Sequence, residues 1–424
     1  MSDYYQMWEE LGMDLERHDE FLAPVPGLYG DMFVSQENRP ENMEYYNFVM
    51  SEVHGLRVKE LYDEKKKGNP VVASFCVFVP EELVIAAGGS HIGLCGGAQF
   101  PIETAEKELP RDLCPLIKSS VGFKLEKVCP YFEVSDFVVG ETTCDGKKKA
   151  WEVLDEYIPT YVMELPHKKT DASHRLWQSE IARFKEKIEE ESGKKIESAK
   201  LEDAIKLTNK KRNVLQRLYN TRKVSPTPIS GKDALLITQL AFFDDPERFI
   251  EKTSTLCDEL EERIEKSEGV VEKDTPRILI AGTPMPLPSW KIHHLVESSG
   301  GIIVCEETCT GTRYFESTVP EGGSNLDEQL SNLSERAMGI NCACFTPNND
   351  RVDDVLRLAE EYNVDGVIYY NLQFCQTYNM EYKKISEALK EEDIPVIQIE
   401  SDYSESDTGQ LKTRIQAFIE MLED

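Results

Sequence analysis

Ten of the eleven cysteines fall into two groups of five, Cys76 to Cys144 and Cys305 to Cys375, with Cys257 alone between them. The amino terminus, Met1-Ser-Asp-Tyr-Tyr-Gln, carries neither a basic stretch nor an apolar segment of the kind that directs export. Thiols kept reduced inside a cell are poor candidates for structural disulfides, so a repeated cluster of them points to metal or redox chemistry. Thiolates are soft ligands and suit iron-sulfur clusters or zinc. The spacing lacks the paired Cys-x-x-Cys knuckles of a zinc ribbon and the tight run of a bacterial ferredoxin, and the one close pair is Cys342-Ala343-Cys344. The competing reading is that most of these thiols are small buried hydrophobes. An iron-sulfur site shared by two similar halves accounts for the grouping.

Such a site needs elements that bring distant thiols together. After the break at Lys65-Lys66-Lys67-Gly68, short β-branched runs alternate with helical ones: Val71 to Val79, a helix opening at Pro80-Glu81-Glu82, Phe137 to Gly140, a helix from about Lys147, then Thr160 to Leu165. From Asp171 to Ser267 the pattern changes to long amphipathic segments, broken at Ser225-Pro226-Thr227-Pro228 and near Asp244-Asp245-Pro246. Alternation then resumes, with strands expected at Arg277 to Ala281, Gly301 to Cys305, Gly366 to Tyr370 and Pro395 to Glu400, and helices near Ser289 to Ser298, Arg351 to Tyr362 and Leu411 to Leu422. The fold expected is α/β: two Rossmann-like parallel-sheet domains joined by a helical segment, with an N-terminal helical arm. The boundaries expected are residues 1–68 for the arm, 69–170 for the first α/β domain, 171–272 for the connector and 273–424 for the second. Cys76 is expected on the first strand of its half, and Cys144, Cys309 and Cys375 just past strand ends. Side chains beyond the carboxyl ends of parallel strands line the crevice where ligands bind.

Length and charge narrow the partners. A chain of 424 residues exceeds one hydrophobic core and predicts two or three domains. No run is long enough to span a bilayer, which suggests a soluble cytoplasmic protein without a membrane partner. With 78 acidic against 48 basic residues the formal charge is -30, which repels phosphate backbones and makes nucleic acid an unexpected partner. The glycine pairs at Gly88-Gly89, Gly96-Gly97 and Gly300-Gly301 form no dinucleotide fingerprint, and no Walker-type phosphate loop occurs, so the chain is not expected to hydrolyse ATP.

Several local motifs occur in a telling order: Cys76-Val-Phe-Val-Pro-Glu-Glu-Leu-Val-Ile-Ala-Ala-Gly-Gly, Leu113-Cys114-Pro-Leu-Ile-Lys-Ser-Ser, Thr143-Cys144-Asp-Gly-Lys-Lys, Glu307-Thr-Cys309-Thr-Gly-Thr-Arg, Gln373-Phe-Cys375 and Gly409-Gln-Leu-Lys-Thr-Arg414. Together, over roughly residues 70 to 424, they resemble the 2-hydroxyacyl-CoA dehydratase and benzoyl-CoA reductase superfamily, and within it most of all the double-cubane cluster proteins. The resemblance implies an [8Fe-9S] double-cubane cluster, a homodimer, and a separate ATP-hydrolysing iron-sulfur reductase that feeds it electrons. Cys114, Cys144 and Cys375 match the motifs that carry ligands in the dehydratases. Cys76, Cys309 and Cys344 are the candidates for the remaining ligand positions, and Cys95, Cys129 or Cys342 could replace one of the six. Cys257 and Cys305 read as packing residues.

Reduction at such a centre needs protons and charge compensation. Glu306, Glu307 and Glu141 stand near proposed ligands as candidate proton relays, and Lys118 as a stabiliser of anionic charge. Each also reads as an ordinary solvated or capping residue. His293 and His294 are adjacent on a helical segment, point in different directions and are not expected to share a metal. Three functions follow from the resemblance. The first is a reductase component that receives low-potential electrons and reduces a small substrate. The second is a 2-hydroxyacyl-CoA dehydratase subunit with one [4Fe-4S] cluster, and the third a non-catalytic electron carrier.

Overall fold

The computed structural model describes residues 4–94 and 96–423, which places Cys95 outside the described residues. Among them the strands form two four-stranded parallel sheets. The first comprises β1 (Val71–Ser74), β2 (Ser90–Gly93), β3 (Phe137–Glu141) and β4 (Thr160–Met163). The second comprises β5 (Arg277–Gly282), β6 (Ile302–Glu307), β7 (Gly366–Leu372) and β8 (Val396–Ser401). Their strand orders are β2-β1-β3-β4 and β6-β5-β7-β8, so the two halves repeat one topology without repeating a sequence. The central strands β1, β3, β5 and β7 are buried at every position, as a parallel sheet covered on both faces requires, and this is why they read as unbroken apolar runs. In each order the connections leave in opposite directions between the two central strands, which opens a crevice beyond their carboxyl ends.

Two expectations are corrected here. The run Val71 to Val79 stays extended only to Ser74, because the chain then turns, with the Val79 amide donating to the Cys76 carbonyl at 3.3 Å before the helix Glu81–Ala86. Cys76 therefore lies two residues past β1 rather than on it. The strand β2 went unforeseen: Ser-His-Ile-Gly holds a single β-branched residue, and pairing with β1 from Val71↔Ser90 to Ser74↔Gly93 makes it a strand. Gly282, at φ +139°, closes β5 against β7; a Cβ there would meet the Tyr370 carbonyl at 1.9 Å.

Between the sheets lie the helices Asp171–Ser192, Ser198–Asn220, Gly231–Leu240 and Pro246–Glu265. Thr170, Ser230 and Asp245 cap three of them by accepting hydrogen bonds from backbone amides of the first turn. Every residue of Gly231–Leu240 is buried, so this helix is a shared core element. The helices between Tyr5 and Lys66 strap the other parts together. Arg17 Nε donates to Glu126 at 2.8 Å, Arg39 Nη2 to Asp233 at 2.7 Å, and the Glu41 amide to Glu259 at 2.6 Å, while Phe33 packs edge-on against Trp290 at 4.9 Å between ring centroids. Gly97 lets the two α/β halves touch: its amide donates to the Leu287 carbonyl, and a Cβ would meet the Pro286 carbonyl at 2.1 Å. No helix among the described residues is long and apolar enough to cross a membrane.

Candidate functional site

Three of the singled-out thiols occupy the same kind of position. Cys114 precedes the helix Pro115–Glu126, Cys144 the helix Asp145–Leu154, and Cys375 the helix Gln376–Glu391. Each sulfur thus faces backbone amides of a first helical turn, and the Lys147 amide donates to Cys144 Sγ at 3.4 Å. Those dipoles favour thiolate over thiol. Cys309 lies two residues beyond β6, ahead of the turn into Thr312–Phe315.

The thiols gather in two groups, each drawn from both halves of the chain. Cys114 and Cys375 hydrogen-bond to one another, and Cys144 is electrostatically coupled to Cys375. Cys342 and Cys344 form a second hydrogen-bonded pair, and Cys76 and Cys309 are coupled to both of them. Cys375 is also coupled to Cys342, which links the groups. In each pair the hydrogen bond of one thiol favours the thiolate of the other: Cys114 lowers Cys375, and Cys344 lowers Cys342. Burial pushes Cys76 well above the ordinary thiol value, reinforced by Glu141. Burial also raises Cys309 to about 11, although Arg313 opposes it. Among the described residues, no three His, Cys, Asp or Glu side chains stand at the spacing of one metal ion.

The remaining thiols lie apart. Cys129 lines a small apolar cavity with Phe21, Met50 and His54 under the arm, and burial raises it to about 11. Cys257 is fully buried and directs its S–H toward the Val214 carbonyl at 3.8 Å. Cys305 is fully buried within β6. The last two are the packing residues expected of them.

Of the four charged candidates, Glu306 and Lys118 turn out to be committed elsewhere. Glu306 accepts from Arg222 at 2.8 and 2.9 Å and from Tyr219 at 2.6 Å, and lies 3.0 Å from His293 Nε2. Burial alone would raise its pKa, but the Arg222 charge and the hydrogen bonds of His293 and Arg222 hold it at about 2. A carboxylate so held does not donate protons at neutral pH, which corrects the relay expectation. Lys118 donates to Glu106 at 2.8 Å and to the Arg111 carbonyl at 2.9 Å, which uses its charge away from the thiols. Glu307 is gripped by Arg313 at 2.6 Å and Arg351 at 2.8 Å, so it positions a cation. Arg313 Nη1 in turn reaches Cys309 Sγ at 3.5 Å, and the Tyr378 hydroxyl lies 3.7 Å from Cys342 Sγ. Glu141 accepts from Lys147 and from Thr143, and both Glu141 and Lys147 are coupled to Cys76.

Arg313, Tyr378 and Lys147 were not foreseen as site residues. Two of them carried a sequence signal, because Arg313 is four residues past Cys309, and Lys147 is three past Cys144, in the first turn of its helix.

Beside the second thiol group lies a cavity of about 80 Å³, partly open to solvent. Cys76, Cys309 and Lys147 line one part, and Phe75, Phe242, Leu116 and Leu287 make its apolar middle. Ser74, His91, Glu81 and Arg212 line a polar part. A small, mostly apolar molecule fits such walls.

The family description 2-hydroxyglutaryl-CoA dehydratase, D-component, matches residues 76–422. A protein of Escherichia coli (strain K12), provisionally named dehydratase subunit YjiM, is 42% identical over 363 residues, covering 85% of this chain and 93% of that protein. The (R)-phenyllactyl-CoA dehydratase beta subunit of Clostridium sporogenes is 24% identical over 364 residues, 84% of this chain and 93% of its own length. A benzoyl-CoA reductase subunit of Thauera aromatica is 22% identical over 360 residues, 83% and 89% of the two chains.

Proposed function

Because the chain belongs to the 2-hydroxyglutaryl-CoA dehydratase D-component family, we propose that it is an iron-sulfur reductase component holding a double-cubane [8Fe-9S] cluster. An ATP-hydrolysing iron-sulfur reductase supplies its electrons, two copies of the chain pair as a homodimer, and the substrate is a small molecule. The observation that carries this reading is the number and grouping of the thiols. Cys114, Cys144 and Cys375 make one group, and Cys76, Cys309, Cys342 and Cys344 another coupled to it. That is more sulfur than one cubane needs. Cys76, Cys114, Cys144, Cys309, Cys344 and Cys375 would hold the cluster, with Cys342 as the alternative to Cys344.

When bound, the cluster supplies low-potential electrons and an iron site for substrate. The chain's own residues do the rest. Arg313 places positive charge at Cys309, and Glu307 and Arg351 hold Arg313 and each other in register. Lys147 and Glu141 set a buried charge pair beside Cys76, where Lys147 holds a proton that Glu141 stabilises. Phe75, Phe242 and Leu116 keep water away from the neighbouring space.

The second reading, a dehydratase subunit with one [4Fe-4S] cluster and a different partner subunit, is favoured by the names of the relatives, among them the phenyllactyl-CoA dehydratase subunit. Iron and acid-labile sulfide measured on anaerobically purified protein separate the two. The double cubane requires about eight irons and nine sulfides per chain, and a single cubane about four of each. A count near four sinks the first reading.

A further inference from the structure

Three helices build the polar end of the cavity beside Cys76 and Cys309. Glu81–Ala86 brings Glu81 and Glu82, Ser198–Asn220 brings Lys211 and Arg212, and Leu326–Met338 brings Arg336. Glu81, Arg212 and Arg336 line the cavity itself. Both carboxylates are already matched. Glu81 accepts from Lys211 and, at 3.0 Å, from the Tyr314 hydroxyl, while Glu82 accepts from Arg212 Nη2 at 2.6 Å and from Thr208 at 3.0 Å. Three cations thus meet two carboxylates, and Arg336 is the cation left over. It donates to the backbone carbonyls of Tyr314 and, at 3.4 Å, of Ser317, and has no ion pair among the described residues. Burial and the neighbouring Arg212 charge push it down to about 10, so its charge is held at a cost that a bound anion would relieve. Arg212 gives an independent sign. It is 1% exposed, yet its Nε–H meets no acceptor. A buried guanidinium N–H without a partner is a vacancy for a ligand oxygen.

We propose that Arg336 and Arg212 form an anion subsite, and that the small substrate is a short-chain monocarboxylate seated there with its far end toward Cys76 and Cys309. The substrate class rests on the reading that a small molecule is reduced in that cavity; the subsite itself needs only the two arginines. One negative charge balances the one left over, so a monoanion fits better than a dianion. A carboxylate also offers two oxygens, one for each arginine. Its hydrocarbon tail lies along Phe75, Phe242, Leu116 and Leu287, the apolar middle of the cavity. At about 80 Å³ the space is well below the roughly 300 Å³ of a drug-sized pocket, which limits the tail to a few carbons. The chain as a whole carries a formal charge of -30 and repels anions, so capture of one marks a local site.

The test uses the anaerobically purified full chain, its iron measured, and two probes of one shape: propionate and the neutral propionamide. In isothermal titration calorimetry propionate should bind at one site per chain, at least about tenfold more tightly than propionamide. Arg336→Gln strands no carboxylate, because Arg336 has no ion pair. It should keep its iron and bind propionate at least about tenfold more weakly, the loss expected of one charge-assisted hydrogen bond. Arg336→Lys should fall between wild type and Arg336→Gln, since it keeps the charge and loses the planar fork. Failure of wild type to bind propionate, equal binding of the two probes, or binding by Arg336→Gln within about twofold of wild type overturns the subsite. Where Arg336→Gln folds poorly, the comparison of the two probes on wild type decides. An iron count near four in the wild-type protein instead overturns the reading beneath, and propionate binding still judges the subsite.

Discussion

Replacing Glu306 with Gln removes one charge from the middle of the second half and leaves the shape almost unchanged. Gln is close to the protonated form of the acid, so the cost of the substitution follows from how far the carboxylate is pulled below its ordinary value. That value falls from 4.5 to about 2, with Glu306 and Arg222 both fully shielded from solvent. At about 1.4 kcal/mol per unit, the charge contributes about 3 kcal/mol at pH 7. This agrees with the roughly 3–5 kcal/mol lost when one partner of a buried pair is removed and the other is left behind, here Arg222. Because the folded value is depressed, the contribution is complete above about 4.5 and is lost as pH falls through about 2. Hydrogen exchange of peptides spanning β5 and β6 reads the local opening free energy. Exchange in Glu306→Gln should exceed wild type by several hundredfold at pH 7 and by only about tenfold at pH 3. A difference under about fivefold at pH 7, or one that does not shrink in acid, refutes the assignment of Glu306 to the Arg222 cluster.

The thiol groups make a second prediction: Cys114→Ser and Cys375→Ser should each lose most of the bound iron, while Cys257→Ser keeps it, as measured on anaerobic preparations. Full iron in Cys375→Ser would remove that residue from the ligand set. Gly97→Ala should cost roughly 1–3 kcal/mol, because its new methyl group meets a backbone carbonyl of the Pro286 loop that has little freedom to retreat. A thermal midpoint equal to wild type would show that the two halves do not depend on that contact.

The fold was readable where burial imposes a simple pattern. The central strands β1, β3, β5 and β7 announce themselves as apolar runs because both faces are covered, whereas β2 owes its extended form to its neighbour and carries little signal of its own. The site was readable where local geometry decides it. Cys114, Cys144 and Cys375 stand one residue before helices, and their motifs record that position. What could not be read was direction. Glu306 and Glu307 are neighbours on one strand and therefore point to opposite faces, one into the Arg222 cluster and the other toward Arg313 and the thiols. Nothing in the run Cys-Glu-Glu distinguishes the faces before the sheet is built. Lys118 failed for the same reason: four residues from Cys114, it spends its charge on Glu106.

The arm's contacts also set an order of events during synthesis. The Glu41 amide meets Glu259, 218 residues later, and Arg39 meets Asp233, 194 residues later. At about 5–20 residues per second, a ribosome takes roughly 10 to 45 seconds to deliver those partners. Throughout that interval Phe33 and Tyr46, wholly enclosed in the finished protein, have no final surface to cover them. The arm is thus made well before the surfaces against which it docks.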